Sequence, residues 1–145
     1  MCLELIHQYA ALPLPRLLLR ELVMRMYHQE QIPRTQATSI VFCSDHVIRR
    51  LNRNYRDQDR PTDVLSFRFN DKDLLGELYV SLQRAKVQSR RFGLTYNQEL
   101  CRLVVHGFFH LLGYDHQTPS LEQKMLEREQ VYLPRIYVEP GVPGQ

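Results

Sequence analysis

The sequence TYNQELCRLVVHGFFHLLG, residues 95–113, has the features of one complete helix with a marked beginning and end. Thr95, followed three residues later by Gln98, matches a capping box, in which two side chains satisfy backbone N–H groups of the first turn. Gly113 stands directly after the last periodic residue, where a left-handed residue commonly ends a helix. The pattern therefore predicts a helix that ends at about Leu112.

Two histidines lie on one side of this predicted helix. His106 and His110 are four residues apart, and because a helix turns by about 100° per residue they lie about 40° apart around its axis. The apolar residues centre on a different arc, formed by Leu100, Val104, Phe108 and Leu111. The histidine pair is therefore not simply the middle of the face that packs into the core.

A third histidine follows the predicted end of the helix. After Gly113 the chain can reverse, which would bring His116 back toward His106 and His110. Three neutral imidazoles suit a borderline-soft cation such as Zn²⁺, and a fourth position open to water is typical of a catalytic zinc site. The spacing thus predicts a metal centre with these three ligands and a zinc-bound water.

The same spacing invites comparison with the zincin peptidase pattern H-E-x-x-H-x-x-G-x-x-H. Gly113 and His116 are in register with it, so the helix is zincin-like, but Gly107 stands where the peptidases have their glutamate general base. A degenerate peptidase is therefore the least favoured hypothesis. Gly107 itself has two interpretations: it lets a backbone or a substrate approach the helix closely, or it is a packing glycine.

Short runs of β-branched, aromatic and alternating residues predict strands upstream of this helix, at residues 3–6, 39–43, 65–69 and 78–81. The turn region at residues 70–76 is long enough for a hairpin loop and too short for a crossover helix, so the strands on either side of it are expected to pair antiparallel. Pro15 is placed as the first residue of one helix, Ser44 as the N-cap of another, and Ser120 with Gln123 as the capping box of the last.

This order of elements favours an α+β fold. With 145 residues and no repeat or linker, the chain is expected to form a single domain over residues 1–145, in which the tail at about 134–145 is a candidate flexible segment. Apolar residues make up 43% and charged residues 24% of the chain, and no apolar run approaches a membrane span.

Cysteine usage and charge indicate the compartment and the class of ligand. Three widely spaced cysteines do not suit a disulfide framework, and the first residues do not form a secretory signal, so a cytoplasmic protein with no membrane partner is expected. The net charge of +3 includes sixteen arginines against three lysines. The planar guanidinium of arginine suits bidentate contacts with phosphate.

A second unusual segment is LNRNYRDQDRPTDVLSF, residues 51–67, which predicts a helix end, a charged loop and the start of a strand. Arg53, Arg56 and Arg60 supply cations where a loop can present them. From charge pattern alone, a solvated turn balanced by the neighbouring aspartates is the favoured interpretation.

Residues 52–67 and 106–116 together closely resemble the bacterial YbeY endoribonuclease family of metal-dependent rRNA maturation factors, and the resemblance extends over about residues 40–125. It implies an α+β fold with a mixed four-stranded sheet packed against several helices, and one zinc ion per chain held by His106, His110 and His116. It also implies cleavage of single-stranded RNA, with roles at the 3′ end of small-subunit rRNA and in ribosome quality control. The family's functionally important arginine corresponds to Arg56.

The chemistry of Arg56 and Asp115 suggests a hypothesis for the role of each residue. Arg56 would neutralise charge developing on a phosphate, and because its guanidinium stays protonated it cannot be the general base. Asp115 would orient a histidine ligand. The expected partners are single-stranded RNA, the rRNA precursor, and the ribosomal small subunit with its assembly factors. The alternative hypothesis is a non-catalytic RNA-binding ribosome assembly factor with a structural zinc.

Overall fold

One mixed sheet organises the structure, a computed structural model that describes residues 2–56, 62–69, 71–114 and 117–133. The strands of the sheet are β1 (Leu3–His7), β2 (Ala37–Cys43), β3 (Val64–Arg68) and β4 (Leu74–Ser81), in the spatial order β1-β2-β4-β3. β1, β2 and β4 run parallel, whereas β3 pairs antiparallel with β4. The predicted mixed four-stranded sheet and its antiparallel hairpin are confirmed.

The connection between β3 and β4 is tighter than the sequence predicts. β4 begins at Leu74, so Gly76 lies within the strand and not in the turn. A Cβ atom at Gly76 would lie 2.4 Å from the backbone oxygen of Phe67 and 2.7 Å from Cδ2 of Leu111. This glycine is therefore needed because a strand and a helix approach it closely, which is a common reason for glycine inside a strand.

The described part of the chain forms five helices, namely α1 (Arg16–Gln29), α2 (Asp45–Arg56), α3 (Leu82–Phe92), α4 (Tyr96–Leu111) and α5 (Pro119–Tyr132). None of the helices in these ranges is long and apolar enough to cross a membrane. The sequence did not predict α3, because its buried residues are few and include a serine: Leu82, Ala85 and Ser89. Its local signals are nevertheless present, since Ser81 caps its start and Gly93 ends it at φ 70°.

Two predicted helix starts need correction. α1 begins at Arg16, with Pro15 in the N-cap position and not the first helical position. α5 is capped by Thr118, whose side chain accepts a hydrogen bond from the Leu121 N–H at 3.2 Å, and the predicted cap Ser120 lies inside the helix. The start of α5 lies before the predicted cap because Pro119 suits the first helical position: its φ is fixed, and it has no N–H to satisfy.

The other two predicted helix starts are confirmed. Ser44 Oγ accepts a hydrogen bond from the backbone N–H of Val47 at 3.3 Å at the start of α2. At the start of α4, the capping box of Thr95 and Gln98 makes both of its bonds, each at 3.0 Å.

The two faces of the sheet are covered by different helices. Side chains alternate along β2, so Ile40 and Phe42 belong to the main core with α1, α4 and α5, while Val41 and Cys43 pack with α2 on the other face. Residues of α3 also join the main core. The histidine-bearing helix α4 and the arginine-bearing helix α2 therefore lie on opposite faces of the sheet.

Gly107 determines how closely α4 packs on the sheet. A Cβ atom at this position would lie 2.9 Å from Cγ2 of Val64 and 3.1 Å from Cδ2 of Leu78. The hydroxyl of Ser66 donates a hydrogen bond to the carbonyl oxygen of Gly107 at 3.1 Å. Of the two interpretations left open by the sequence, the packing glycine describes this structure, since strands β3 and β4 fill the space beside it.

The cysteines are free thiols, as their spacing predicts. Cys43 is fully buried, and burial raises the pKa of its thiol to about 12. Burial also raises the pKa of Cys101 to about 11. These two thiols therefore stay protonated at neutral pH, whereas a metal ligand would have to be a thiolate.

We expect Gly107→Ala to destabilise the fold by about 1–3 kcal/mol, because the added methyl group would overpack the contact between α4 and the sheet. The higher helix propensity of alanine offsets up to about 1 kcal/mol of this. Urea denaturation measures the free energy of unfolding. Asn97→Ala, at an exposed position of the same helix, is the control. If both variants matched the wild type, Gly107 would not limit the packing.

Candidate metal centre

His106 and His110 converge on α4. Their Nε2 atoms lie 3.2 Å apart, and their rings are nearly perpendicular, at 85°, with centroids 4.7 Å apart. Both side chains are partly exposed, at the surface of a helix whose remaining faces are largely buried. The pair predicted from the spacing is therefore brought together in the structure.

The end of α4 forms a Schellman motif. Gly113 adopts φ 96°, its N–H donates to the carbonyl of His110 at 3.1 Å, and the N–H of Tyr114 donates to that of Phe109 at 3.1 Å. The rings of Phe109 and Tyr114 meet with centroids 5.1 Å apart, which is the hydrophobic contact that often accompanies this motif. The helix stop predicted at Gly113 is confirmed.

This helix stop also positions a histidine. The carbonyl oxygen of Tyr114 lies 3.0 Å from Nδ1 of His110. A carbonyl can only accept a hydrogen bond, so Nδ1 must carry the proton and Nε2 keeps its lone pair. The reversal of the chain after Gly113 therefore sets the tautomer and the ring orientation of His110.

His106 is oriented by a residue that the sequence analysis did not identify. Oε2 of Glu129, on α5, lies 2.7 Å from Nδ1 of His106, and the Glu129 side chain is only 1% exposed. The signal was present in the sequence: Glu129 lies between the buried Met125 and Tyr132 at helical spacing, so it places a carboxylate on an otherwise apolar face. Such a buried acid needs a partner.

Contacts on either side of Glu129 anchor α5 to α1. Arg128 forms an ion pair with Glu30, and the hydroxyl of Tyr132 donates to Oε2 of Glu30 at 2.6 Å. Burial and the bond to Glu30 raise the pKa of Tyr132, so its hydroxyl stays protonated and remains a donor. Arg25 donates to the carbonyl of Tyr132 at 3.3 Å. These bonds hold the segment that presents Glu129.

The geometry of the two imidazoles fits a zinc ion. Both Nδ1 atoms face acceptors, so both Nε2 atoms can offer lone pairs to one cation, the arrangement in which a carboxylate or carbonyl orients a metal-bound histidine. Two nitrogens held about 2.0–2.1 Å from a tetrahedral zinc are separated by about 3.3 Å, close to the observed 3.2 Å. The described residues contain no group of three potential ligands.

The remaining predicted site residues cannot be placed with these two. His116 and Asp115 lie outside the described residues. Arg56 is the last residue of α2, but its side chain is likewise outside them. The roles of these three residues therefore stay predictions.

A cleft opens between the end of α4 and α5. Its volume is about 520 Å³, and its lining includes Tyr114, Lys124, the carboxylate of Glu127 and Arg128, which is paired with Glu30. Ligand sites typically have volumes of about 300–1,000 Å³. The cleft therefore offers room for part of a substrate next to the chain segment that orients His110.

Comparison with known families identifies the chain. The sequence model of the family described as Endoribonuclease YbeY matches residues 14–137. The chain belongs to the endoribonuclease YbeY family. The match includes all five helices and three of the strands, with β1 outside it, and so extends beyond the resemblance at residues 40–125.

Relatives and a solved structure agree with this family. Proteins named Endoribonuclease YbeY from Bacillus cereus and Halalkalibacterium halodurans are 37% and 39% identical to this chain over 129 and 131 residues. These alignments cover 80% of this chain and 83% and 82% of the two proteins. The solution structure of TM1509 from Thermotoga maritima matches 96% of this chain and 94% of its own, with a TM-score of 0.62 and 27% identity. The predicted YbeY family and α+β fold are confirmed.

We expect Glu129→Gln to lower the affinity for zinc about 10- to 100-fold, because the residue would no longer offer a charged acceptor to hold the His106 ring. Competition with a chromophoric chelator measures the dissociation constant, and circular dichroism checks the fold. Glu127→Gln removes an exposed carboxylate from the same helix and should leave the affinity unchanged. Equal affinities for Glu129→Gln and the wild type would remove Glu129 from the centre.

Proposed function

We propose that this chain is a zinc-dependent endoribonuclease that cleaves single-stranded RNA. The observation that carries the proposal is the pair of Nε2 atoms 3.2 Å apart, each on a ring whose Nδ1 faces an acceptor, in a member of the endoribonuclease YbeY family. We further propose that it acts in the cytoplasm on the rRNA precursor, at the 3′ end of small-subunit rRNA, and in ribosome quality control. The ribosomal small subunit and its assembly factors are the proposed partners.

In this proposal one zinc ion per chain is held by His106, His110 and His116. When bound there, the ion would supply Lewis acidity toward a phosphoryl oxygen and a water of lowered pKa. Its position at the surface of α4, on partly exposed side chains, suits a reacting centre that substrate must reach.

The chain's own groups prepare the site before substrate arrives. The Glu129 carboxylate and the Tyr114 carbonyl hold the two imidazoles in one tautomer and one orientation, so little reorganisation is needed at the moment of reaction. Asp115 is proposed to orient a ligand in the same way.

Arg56 is proposed to neutralise the negative charge that develops on the scissile phosphate. Its guanidinium stays protonated in proteins, so its contribution is electrostatic and it does not transfer a proton. Asp63 holds the chain at the start of β3. Its Oδ1 accepts a hydrogen bond from the Val64 N–H at 2.8 Å, and its carbonyl accepts one from the Ser81 N–H at 2.9 Å.

We expect removal of zinc with a chelator to abolish cleavage of a single-stranded RNA, and added zinc to restore it. His110→Ala should reduce both bound zinc and the cleavage rate, the latter by at least about 100-fold, because a ligand is lost. Metal analysis of the purified protein and a gel-based cleavage assay measure the two quantities. His28→Ala, which changes an exposed histidine on α1, is the control.

Cleavage that survived both zinc removal and His110→Ala would contradict the metal mechanism. RNA binding that depends strongly on salt, with no cleavage by the zinc-loaded wild type, would instead favour the assembly factor with a structural zinc.

We expect Arg56→Ala to lower kcat by about 100- to 1,000-fold, as found when one electrostatic donor to a transition state is removed. The free energy of unfolding should change by less than about 0.5 kcal/mol if the residue serves catalysis and not packing. Single-turnover kinetics and urea denaturation measure these effects. Arg56→Lys should recover part of the rate because it keeps the charge. An unchanged kcat in Arg56→Ala would exclude this role.

A further inference from the structure

The outer face of α2, which packs on the opposite face of the sheet from α4, carries a cluster of basic residues. This α2 basic cluster consists of Arg49, Arg50 and Arg53, which together with His46 line a shallow cavity of about 220 Å³. All four residues are exposed. The cluster therefore presents positive charge to solvent on a concave surface.

The spacing of the cluster comes from one helical stripe. Arg49 and Arg53 are four residues apart, and Arg50 and Arg53 are three apart, so their side chains are neighbours on the helix surface. The opposite side of α2 does the packing, with Ile48 buried and Leu51 against it. The arginines therefore lie on the side of α2 that is turned away from the sheet.

α2 has an excess of positive charge. It contains four arginines and a single acidic residue, Asp45. Asp45 is engaged at the start of α2, where it accepts from Ser81 Oγ at 2.5 Å and lies 3.4 Å from Nε of Arg84.

An exposed aromatic ring lies in the last turn of α2, next to the cluster. Tyr55 is 70% exposed and rests edge-on against Phe67 of β3, with ring centroids 5.8 Å apart. Phe67 in turn meets Tyr79 of β4 at 5.7 Å. The Tyr55 ring therefore packs against Phe67, and most of it stays exposed to solvent. Arginines that follow a backbone, together with an aromatic side chain on which a base can stack, are the features by which proteins hold single-stranded nucleic acid.

We propose that the α2 basic cluster is a second contact site for single-stranded RNA, where the arginines bind backbone phosphates and Tyr55 stacks on a base. The inference rests on the proposed ribonuclease function and extends it to a surface away from the reacting centre. An RNA long enough to pass around the edge of the sheet would contact both faces. The site contributes affinity without base recognition, because phosphates and ring faces are common to all sequences.

The test measures binding of a fluorescent 20-nucleotide 2′-O-methyl RNA to the full chain by anisotropy, over a range of salt concentrations, with RNA integrity checked on gels. For Arg50→Gln/Arg53→Gln, the loss of two phosphate contacts should lower the slope of log affinity against log salt by about 1.4 and the affinity by roughly 25-fold at 0.1 M salt. Tyr55→Leu should lower affinity roughly 5- to 100-fold and leave the salt slope unchanged, because it removes stacking and no charge.

Two matched controls accompany these variants. Arg34→Gln/Lys72→Gln removes two exposed cations from the loops that precede β2 and β4, and should leave the affinity within twofold of the wild type. Arg50→Lys/Arg53→Lys keeps the charge and should restore the salt slope. Thermal unfolding of every variant separates loss of binding from loss of fold.

An unchanged affinity and salt slope in folded Arg50→Gln/Arg53→Gln would overturn the inference, and so would an equal loss in the Arg34→Gln/Lys72→Gln control. Competition by a poly-glutamate peptide as strong as by RNA of equal charge would show a general acidic-protein site and also overturn it. Cleavage is measured separately: a wild type that binds RNA through the cluster but never cleaves it would refute the proposed function and leave this inference standing.

Discussion

The hydrogen bond between Nδ1 of His106 and the buried carboxylate of Glu129 connects the fold of this protein to its candidate metal centre. A carboxylate that is 1% exposed is costly to bury unless its charge is paired or hydrogen-bonded. The same bond that satisfies Glu129 orients His106. The packing of α5 on α4 therefore depends on the same bond that orients His106. The contacts of Glu30, at the end of α1, with Arg128 and Tyr132 also hold α5 in place.

The sheet separates two kinds of surface. On one face, Gly107 lets α4 pack closely on β3 and β4. His106 and His110 lie partly exposed on this helix, and their Nδ1 atoms are held by Glu129 and by the Tyr114 carbonyl. On the other face, α2 buries one side against the sheet and turns Arg49, Arg50 and Arg53 outward. In the proposed function, the metal centre would supply the chemistry on one face of the sheet, and the basic helix would hold the RNA by its backbone on the other.

Much of the local structure could be predicted because its signals lie within a few residues of each other. The capping box of Thr95, the left-handed Gly113 and the antiparallel hairpin are all short-range features, and each is confirmed. The turn before β4 is shorter than predicted. Gly76 resembles a turn glycine in sequence, but it lies inside β4, where the close approach of a neighbouring strand and of Leu111 requires a glycine. Helix α3 was missed because its polar sequence has almost no apolar periodicity, although Ser81 and Gly93 mark its ends.

The sequence by itself determined the family, the helix that carries the histidines and the place where that helix stops, since these depend on residue spacing and local backbone preference. Only the tertiary structure decided which groups form hydrogen bonds with the Nδ1 atoms of His106 and His110. Glu129 is distant from His106 along the chain, and the Tyr114 carbonyl carries no side-chain signal, so neither partner follows from spacing. Long-range packing of α5 and the geometry of the helix end bring them into place.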